Sequence, residues 1–326
     1  MALPFPDFFD PREVVELRLE RAQRVADEAQ AYARRNPIAP AAKDKFKIAA
    51  FGIDAQIGFC LPGASLYVPG AVEDTARTLK WLYGNLDRIT GLHFSMDTHR
   101  VFQIFHPAWW SGPDGKPPAP FTPVLYEDVR KGRWTPLVHP RESLEYVKKL
   151  ETTGKYVLTI WPYHTLLGGV SHALVPSLME AAIFHGLLRK HQTNFETKGT
   201  HAMTENYSVL SPEVLELGGQ PVGAFNAPFF KLLMEYDRVY VFGQAKSHCV
   251  LSTLADIRDH VKATDPGLAD KVYILEDAMS SVPPPPATSG GPQPPSLDFP
   301  RIADEAMADF KRAGMHLVKT TDPILF

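Results

Sequence analysis

Short apolar segments alternate with stretches of helical periodicity along most of the chain, and this alternation limits the fold more than any other feature. Seven short segments, most of them apolar, are predicted to be strands. They cover residues 46–54, 92–97, 156–161, 193–198, 238–245, 271–277 and 316–319. Strands that are separated by helices form parallel sheets. The pattern therefore predicts an α/β fold in three layers, with a doubly wound, mostly parallel, Rossmann-like sheet and helices on both faces.

The helical segments carry apolar residues at intervals of three and four. Between and after the predicted strands they cover residues 72–89, 174–190, 250–261 and 302–313. We expect residues 46–326 to form a single α/β domain. Its segments near 107–140 and 282–300 are rich in proline and are predicted to be loop insertions.

A further helix is predicted before the first strand. Asp10 and Pro11 form an N-cap and first-turn pair, and apolar residues recur at helical spacing from Val14 to Tyr32. Residues 1–45 are therefore predicted to be an N-terminal helical extension. Its apolar stripe needs a partner surface, which predicts packing on a neighbouring subunit of a homo-oligomer or on the proline-rich loop.

The overall composition argues against several classes of function. The chain of 326 residues has a formal net charge of −3, which disfavours general binding to nucleic acids or anionic membranes. Its two cysteines cannot build a disulfide framework. Neither a secretory leader nor an apolar run long enough to cross a membrane is recognisable. These observations predict a cytoplasmic protein without nucleic-acid or membrane partners.

Polar or aromatic residues stand where the predicted strands end. They are Asp54, Asp97, Trp161 and Lys198, and Cys249 follows another strand by one turn. In doubly wound sheets, ligands bind beyond the carboxyl ends of the strands. We therefore expect these residues to meet at one edge of the sheet and to form a site.

The cysteine at this edge lies in the segment "FGQAKSHCVLST", where a strand ends and a helix begins. The N–H groups and the dipole of a helix N-terminus stabilise an anion, so we expect the pKa of Cys249 to be lowered. The alternative interpretation is a small core residue. The convergence of Asp54 and Lys198 on the same edge favours a nucleophile.

Three motifs at predicted strand ends accompany this cysteine. "DAQIGF" begins at Asp54, a later strand ends in Lys198-Gly199, and "GQAKSHCV" begins at Gly243. In the order and spacing of these motifs, over roughly residues 46–280, the chain resembles the isochorismatase-like cysteine hydrolases, and within them the nicotinamidases.

The resemblance implies a catalytic triad of Asp54, Lys198 and Cys249. It also implies an oxyanion hole made by the backbone N–H groups of Ala245 and Cys249, next to a cis peptide bond between Gln244 and Ala245. Isochorismatases lack the nucleophilic cysteine, so Cys249 argues against vinyl-ether hydrolysis.

A second set of residues combines one carboxylate with two imidazoles. "MDTH" supplies Asp97 and His99, and "WPYH" supplies His164. Such a set is common for zinc, iron or manganese. Nicotinamidases have both motifs in this order, and the resemblance implies that these three residues bind one divalent transition metal ion. Some members have a further histidine where this chain has Gln103. No organic cofactor is expected.

The implied reaction is hydrolysis of a small-molecule amide, such as nicotinamide or a close aromatic amide, through a cysteine thioester, with the metal ion orienting the substrate. Phe59 and Trp161 are predicted to stack on the substrate ring, and core packing is their alternative interpretation. Gln56 and Tyr207 are predicted as further substrate contacts. Two other functions stay open: a metal-independent cysteine amidase for an acyclic ureido or maleamate-like amide, and a non-catalytic binding protein.

Overall fold

A six-stranded parallel sheet forms the centre of the computed structural model, which describes residues 3–18, 21–153, 157–284 and 298–324. In chain order the strands are β1 (Ile48–Ile53), β2 (Gly91–Asp97), β3 (Asn194–Lys198), β4 (Arg238–Gly243), β5 (Val272–Leu275) and β6 (His316–Val318). Every residue of β1 and β2 is buried, as expected of strands that are covered on both faces.

The strand order across the sheet is β6-β5-β4-β1-β2-β3, and all neighbours are parallel. The chain winds from β1 to one edge through β2 and β3, and then continues on the other side of β1 with β4. The order therefore reverses between β1 and β4. In doubly wound folds this reversal leaves a crevice at the carboxyl ends of the two strands.

Helices flank the sheet. They are α1 (Ala22–Arg35), α2 (Ile57–Cys60), α3 (Ala71–Gly84), α4 (Tyr126–Arg130), α5 (Pro140–Thr153), α6 (Pro176–Arg189), α7 (Ala227–Met234), α8 (Leu251–Thr264) and α9 (Phe299–Arg312). Short 3-10 turns cover Ala41–Lys43, Pro107–Trp109, Val170–His172 and Pro266–Lys271, and one π-helical turn covers Lys246–Val250. Helices α1 and α3 both pack on α6, whereas α8 packs on α9. The predicted three-layer, doubly wound fold is confirmed.

The N-terminal helix is shorter than predicted, because α1 begins at Ala22 and not at Asp10. Residues 10–16 form consecutive turns, with hydrogen bonds from the Glu13 N–H to the Asp10 carbonyl and from the Glu16 N–H to the Glu13 carbonyl. Val14 is buried, and its carbonyl accepts a hydrogen bond from the Ser177 hydroxyl on α6. This tertiary contact outweighs the local helical pattern.

Helix α1 packs on its own chain. The buried face of α1 carries Val25, Ala29 and Tyr32, and the Tyr32 ring lies 5.2 Å from the ring of Phe184 on α6. Arg21 forms an ion pair with Glu180 at 2.7 Å. The surface predicted to lie on a neighbouring subunit or on the proline-rich loop is therefore covered by α6.

The two predicted loop insertions differ in how much of them the structure describes. The segment 107–140 contains α4 and short antiparallel pairs, Trp110–Ser111 with Thr135–Pro136 and Pro123–Val124 with Leu158–Thr159. A third such pair joins Glu216–Leu217 to Gln220–Pro221. Of the segment 282–300, residues 285–297 lie outside the described residues, and α9 begins at Phe299.

The prediction that 156–161 is a strand of the main sheet is wrong. Residue 156 lies outside the described residues. Of the described residues 157–161, only Leu158–Thr159 pairs, and it pairs antiparallel with Pro123–Val124 outside the six-stranded sheet. Helices α5 and α7 were not predicted. Within the described ranges, no helix is both long and apolar enough to cross a membrane.

Candidate active site

The carboxyl ends of four neighbouring strands bring the predicted site residues together. Asp54 directly follows β1, Asp97 ends β2, and Lys198 ends β3. Cys249 lies in the π-helical turn that joins β4 to α8. None of these four residues is more than 7% exposed. Because β1 and β4 flank the reversal of strand order, the site occupies the crevice that this topology creates.

The Lys198 ammonium is the centre of a buried polar cluster. Its Nζ lies 2.9 Å from Oδ2 of Asp54 and 2.8 Å from Oδ1 of Asp97. It also donates to the backbone carbonyl of Asn206 at 2.7 Å and lies 3.5 Å from Sγ of Cys249. One cation thus connects two carboxylates and the thiol. We conclude that Asp54, Lys198 and Cys249 are in mutual contact.

The two carboxyl groups differ in their electrostatic environment. Burial raises the pKa of both, but the neighbouring His99 and Lys198 outweigh this at Asp97, and the pKa of Asp97 lies well below its usual range. Burial raises the pKa of Asp54, and Lys198 offsets this only in part. The two carboxylates hold the pKa of Lys198 well above its usual range, although burial opposes its charge. Asp97 is therefore a fixed anion, whereas Asp54 is the carboxyl group that is suited to carry a proton.

The pKa of Cys249 differs from the sequence-based expectation. Burial raises it well above its usual value, Lys198 lowers it only in part, and the thiol donates a hydrogen bond to Asp54. The expected lowering by the helix N-terminus is therefore wrong for this state of the site, because desolvation of the thiolate dominates. The thiol is protonated, and it needs a base to become a nucleophile.

Asp54 is held by a residue that sequence reasoning missed. Its backbone has a φ of 47°, in the left-handed region that residues other than glycine and asparagine rarely adopt. The Ser95 hydroxyl on β2 donates to Oδ1 of Asp54 at 2.6 Å, and the Asp54 N–H approaches the same hydroxyl at 3.1 Å. The only sequence signal for Ser95 is a polar residue inside an apolar strand.

The turn after β4 shapes the other side of the site. Gly243 has a φ of 122°, and a side chain there would collide with the backbone of Ile53. The peptide bond between Gln244 and Ala245 is cis, as the resemblance implied. Ala245 and Cys249 both line the same cavity. This placement is compatible with backbone N–H groups that face a substrate oxygen, as predicted for the oxyanion hole.

The three predicted metal ligands form one buried group. One donor atom from each of Asp97, His99 and His164 lies within 4.8 Å of the others. Oδ2 of Asp97 lies 2.7 Å from Nε2 of His99 and 3.4 Å from Nε2 of His164. His106 and Gln103 are not in this group, and Gln103 instead donates to the carbonyl of Gly199 at 2.7 Å.

Both histidines of the metal-ligand group are oriented by backbone carbonyls. Nδ1 of His99 lies 3.3 Å from the carbonyl oxygen of Gly199, and Nδ1 of His164 lies 2.7 Å from that of Pro162. Donation from Nδ1 leaves the Nε2 lone pairs directed at the Asp97 carboxylate, an arrangement that a cation between them stabilises. The donor set therefore fits a divalent transition metal ion.

The predicted substrate contacts divide into two groups. Phe59, Trp161 and Tyr207 line the cavity together with Lys198 and Cys249. Gln56 lies behind it, and its side chain is occupied by the backbone: Nε2 donates to the carbonyls of Asp97 (2.9 Å) and His172 (2.8 Å), and Oε1 accepts from the Asp97 N–H. The position of Gln56 therefore indicates that it holds Asp97 in place.

The cavity is small and has a larger neighbour. It encloses about 30 Å³, whereas a second, mostly apolar cavity of about 250 Å³ shares Leu66, Trp161 and Val282 with it. A space of this size holds one or two water molecules. An aromatic ring is larger than this space, so the cavity would have to widen to hold one.

Comparisons with known proteins identify the fold. No protein-family model matches the chain, and no curated protein matches it in sequence. Among solved structures, the yeast nicotinamidase Pnc1p matches with a TM-score of 0.53 and 15% identity, over 83% of this chain and 99% of its own. Its complex with the inhibitor nicotinaldehyde gives a TM-score of 0.52 at 16% identity, over 83% and 99% of the two chains.

A nicotinamidase and pyrazinamidase of Acinetobacter baumanii matches with a TM-score of 0.51 and 18% identity, over 86% of this chain and 99% of its own. The chain has the nicotinamidase fold. The predicted isochorismatase-like architecture is therefore confirmed. The polar cluster around Lys198 lies where the strand order of this fold reverses. At identities this low, the similarity concerns the fold alone, so the chemistry has to be argued from the side chains.

Proposed function

We propose that this protein is an amidohydrolase that cleaves a small carboxamide through a thioester on Cys249. The observation that supports this most directly is the contact between Cys249, Lys198 and Asp54 at the carboxyl edge of the sheet, inside a buried cavity. A nucleophile next to a base that is itself oriented by a third group is the general arrangement of covalent catalysis. The fold of nicotinamidases agrees with this proposal.

The first half of the reaction forms the thioester. Asp54 accepts the thiol proton, and Lys198 stabilises the resulting thiolate, which attacks the amide carbon. The N–H groups of Ala245 and Cys249 donate to the developing oxyanion, a contribution of about 3–4 kcal/mol for a well-placed donor. The carbon–nitrogen bond then breaks, Asp54 returns the proton to the nitrogen, and ammonia leaves.

The second half of the reaction consumes one water molecule. Asp54, again ionised, accepts a proton from the water as its oxygen attacks the thioester carbon. The carbon–sulfur bond breaks, the carboxylic acid leaves, and Cys249 recovers its proton. Ser95 keeps Asp54 in one orientation throughout, because its hydroxyl donates to the oxygen that does not face Lys198.

We propose a pyridine carboxamide such as nicotinamide, or a close aromatic amide, as substrate. Asp97, His99 and His164 would hold a zinc, iron or manganese ion. Such an ion would supply a binding position for a substrate acceptor atom and would offset the negative charge of the Asp54 and Asp97 carboxylates, which Lys198 alone does not balance. Phe59 and Trp161 line the cavity and are suited to enclose an aromatic ring.

The test is ammonia release from a panel of aromatic and acyclic amides. Cys249→Ala should lower the rate by about 10⁴-fold or more, because it removes the nucleophile. Cys60→Ala is the matched control: this second buried cysteine has a pKa raised by burial to about 12, and its replacement should leave the rate within a few-fold. Ammonia release by Cys249→Ala at the wild-type rate would exclude the thioester, and activity restricted to acyclic amides would exclude the aromatic substrate.

A further inference from the structure

A second cavity adjoins the proposed active site and has no role in the reaction described above. It encloses about 250 Å³, against about 30 Å³ for the cavity that contains Cys249, and the two cavities share Leu66, Trp161 and Val282 as a common wall. An apolar cavity of about 150 Å³ is large enough to hold benzene. The second cavity therefore has room for more than one six-membered ring, whereas the first has room for water only.

The lining of the second cavity is mostly apolar. Aromatic rings and prolines form much of it, and none of the described residues that line it carries a charge. Phe121 comes from the segment 107–140 and Pro283 from the segment 282–300, so both loop insertions contribute to the wall. Burial of apolar surface is favourable, whereas burial of a charge without a partner is costly. The second cavity is therefore suited to an uncharged, apolar group.

One side of the second cavity is fixed by backbone hydrogen bonds. Pro123 pairs with Thr159, and both residues line the cavity. The Ile160 N–H donates to the carbonyl of Thr122 at 2.9 Å, and the Phe121 N–H donates to the carbonyl of Ile160 at 2.5 Å. These bonds tie the first insertion to the chain segment that leads into the shared wall. The cavity is thus already formed on this side, as binding pockets usually are.

The shared wall combines one firmly held side chain with two aliphatic ones. Nε1 of Trp161 donates to Oε1 of Glu205 at 2.5 Å and to the Tyr207 hydroxyl at 3.1 Å. Leu66 and Val282 lie outside helices and strands. An aliphatic side chain can change its rotamer without breaking a hydrogen bond. The small cavity can therefore widen at Leu66 and Val282 while Trp161 stays in place, and this widening joins it to the second cavity.

The position of Asp54 decides which part of an amide can reach the second cavity. In the proposed reaction Asp54 returns a proton to the leaving nitrogen, so this nitrogen has to face the carboxyl group. Asp54 is fully buried and lines neither cavity, whereas Cys249 lines the small one. The nitrogen therefore points into the closed interior, where a substituent has no space. The acyl group is the part that can extend past the shared wall.

We propose that the second cavity is an acyl subsite, and that the substrate is a primary carboxamide whose acyl group carries an uncharged apolar extension, such as a second ring. This proposal rests on the proposed amide hydrolysis. It makes the two loop insertions the parts of the chain that select the substrate. Removing the surface of a second ring from water should raise kcat/KM at least about tenfold over an amide without that ring.

Hydrolysis of matched amides by the wild type tests the proposal. Benzamide is the reference. The three phenylbenzamides extend the acyl group, their carboxyphenyl counterparts add a charge to this extension, and N-benzylbenzamide carries the second ring on the nitrogen. At least one phenylbenzamide should exceed benzamide about tenfold or more in kcat/KM. Its carboxyphenyl counterpart should lose this gain, and N-benzylbenzamide should react more slowly than benzamide.

Filling the second cavity should remove the preference. Thr159→Trp places a large ring in it, so the kcat/KM ratio of the best phenylbenzamide to benzamide should fall to about threefold or less. Thr135→Trp is the matched control and should keep the wild-type ratio, because Thr135 is exposed, belongs to the same insertion and lines neither cavity. Should Thr159→Trp fail to fold, Phe121→Ala, which trims a wall residue that is 43% exposed, should lower the ratio several-fold.

A wild type that hydrolyses benzamide at least as well as every phenylbenzamide would overturn the proposal, and so would an unchanged ratio in Thr159→Trp. A preference for N-benzylbenzamide would overturn the assignment to the acyl group. Calorimetry with Cys249→Ala separates this proposal from the proposed function. If no amide is hydrolysed but a phenylbenzamide binds at least tenfold more tightly than benzamide, the subsite is supported and hydrolysis is not. Weaker binding of all phenylbenzamides would count against the subsite itself.

Discussion

Two buried cations lie near opposite ends of β3, and they are neutralised in different ways. Arg189 ends α6, just before β3, and its guanidinium donates to the carboxylate of Asp44 and to the carbonyls of Ala39 and Ile89. Lys198 ends β3 and meets two carboxylates, those of Asp54 and Asp97. The Arg189 cluster is balanced one to one, whereas the Lys198 cluster has an excess of one negative charge.

This difference in charge balance distinguishes a cluster that stabilises the fold from one that is suited to chemistry. A buried ion pair whose charges and hydrogen bonds are all satisfied fixes the packing of the segments that it joins. An excess carboxylate is unfavourable in a protein interior unless it holds a proton or a further cation. In the Lys198 cluster, Asp54 can carry such a proton, and the group of Asp97, His99 and His164 can hold such a cation.

Replacing the two cations by the same apolar residue is the strongest test of this comparison. Lys198→Met leaves Asp54 and Asp97 without their shared cation and removes the group that stabilises the thiolate, so we expect kcat/KM for the best amide to fall by about 10⁴-fold. The measurement is steady-state ammonia release, with circular dichroism to check the fold. Activity within tenfold of wild type would show that Lys198 is not part of the catalytic machinery.

Arg189→Met should have the opposite profile. It leaves the partly buried Asp44 without its cation and removes the hydrogen bonds of the buried guanidinium, which should lower the free energy of unfolding by about 3 kcal/mol, or about 10²-fold in the folding equilibrium. The kcat/KM of the folded protein should stay near that of wild type. Urea unfolding and an active-site titration measure the two quantities. A large loss of kcat/KM with unchanged stability would contradict the assigned structural role.

Removing one proposed metal ligand tests the excess charge directly. We expect wild type to bind close to one transition metal ion per chain, and His99→Ala to lose it. The loss should raise KM for a pyridine carboxamide on the order of 10–100-fold more than for benzamide. Metal analysis and paired kinetics measure this, with Cys249 titrated by a thiol reagent as the control for an intact nucleophile. Wild-type protein without metal but with full activity would contradict the prediction.

The smallest expected effect is a loss of folding stability in acid, and it involves a residue next to Arg189. His185 is buried next to Arg189, and burial lowers its pKa to about 4. The unfolded chain takes up this proton below about pH 6.5, so the stabilisation is present above that pH and is lost as the pH falls towards 4. At pH 5 the loss is about 2 kcal/mol. His185→Gln should flatten the stability profile between pH 7 and 5, and an unchanged slope would assign the acid sensitivity to other groups.

The sequence predicted the site best where a chemically functional residue stands at the end of a predicted strand. Asp54 and Cys249 follow apolar strands and Lys198 ends a further predicted strand, so the predicted topology brings them to one edge of the sheet. Trp161 also reaches the cavity, but not as the end of a main-sheet strand. Its backbone N–H donates to the carbonyl of Phe105. Local periodicity does not encode a contact of such long range.

Other features of the site depend on tertiary contacts and have weak sequence signals. Ser95 is one polar residue in an apolar strand, and nothing in its neighbourhood indicates that it orients Asp54. Gln56 lies in a recognisable motif, yet its side chain turns towards the backbone of Asp97. The raised pKa of Cys249 follows from burial in a closed cavity, which a helix position alone does not reveal.

The pairing of β1 with β4 has a consequence for how the protein folds. Lys47 and Asp237, whose contact lies where this pair begins, are 190 residues apart in the chain. Strands β1, β2 and β3 come from its first two-thirds, but Cys249, the proposed nucleophile, follows β4. Contacts of such long range are slow to form, because loop closure costs entropy before pairing compensates for it. During synthesis Asp54 and Lys198 emerge from the ribosome before Cys249, so the proposed nucleophile can meet its proposed base only once the chain that forms β4 has been made.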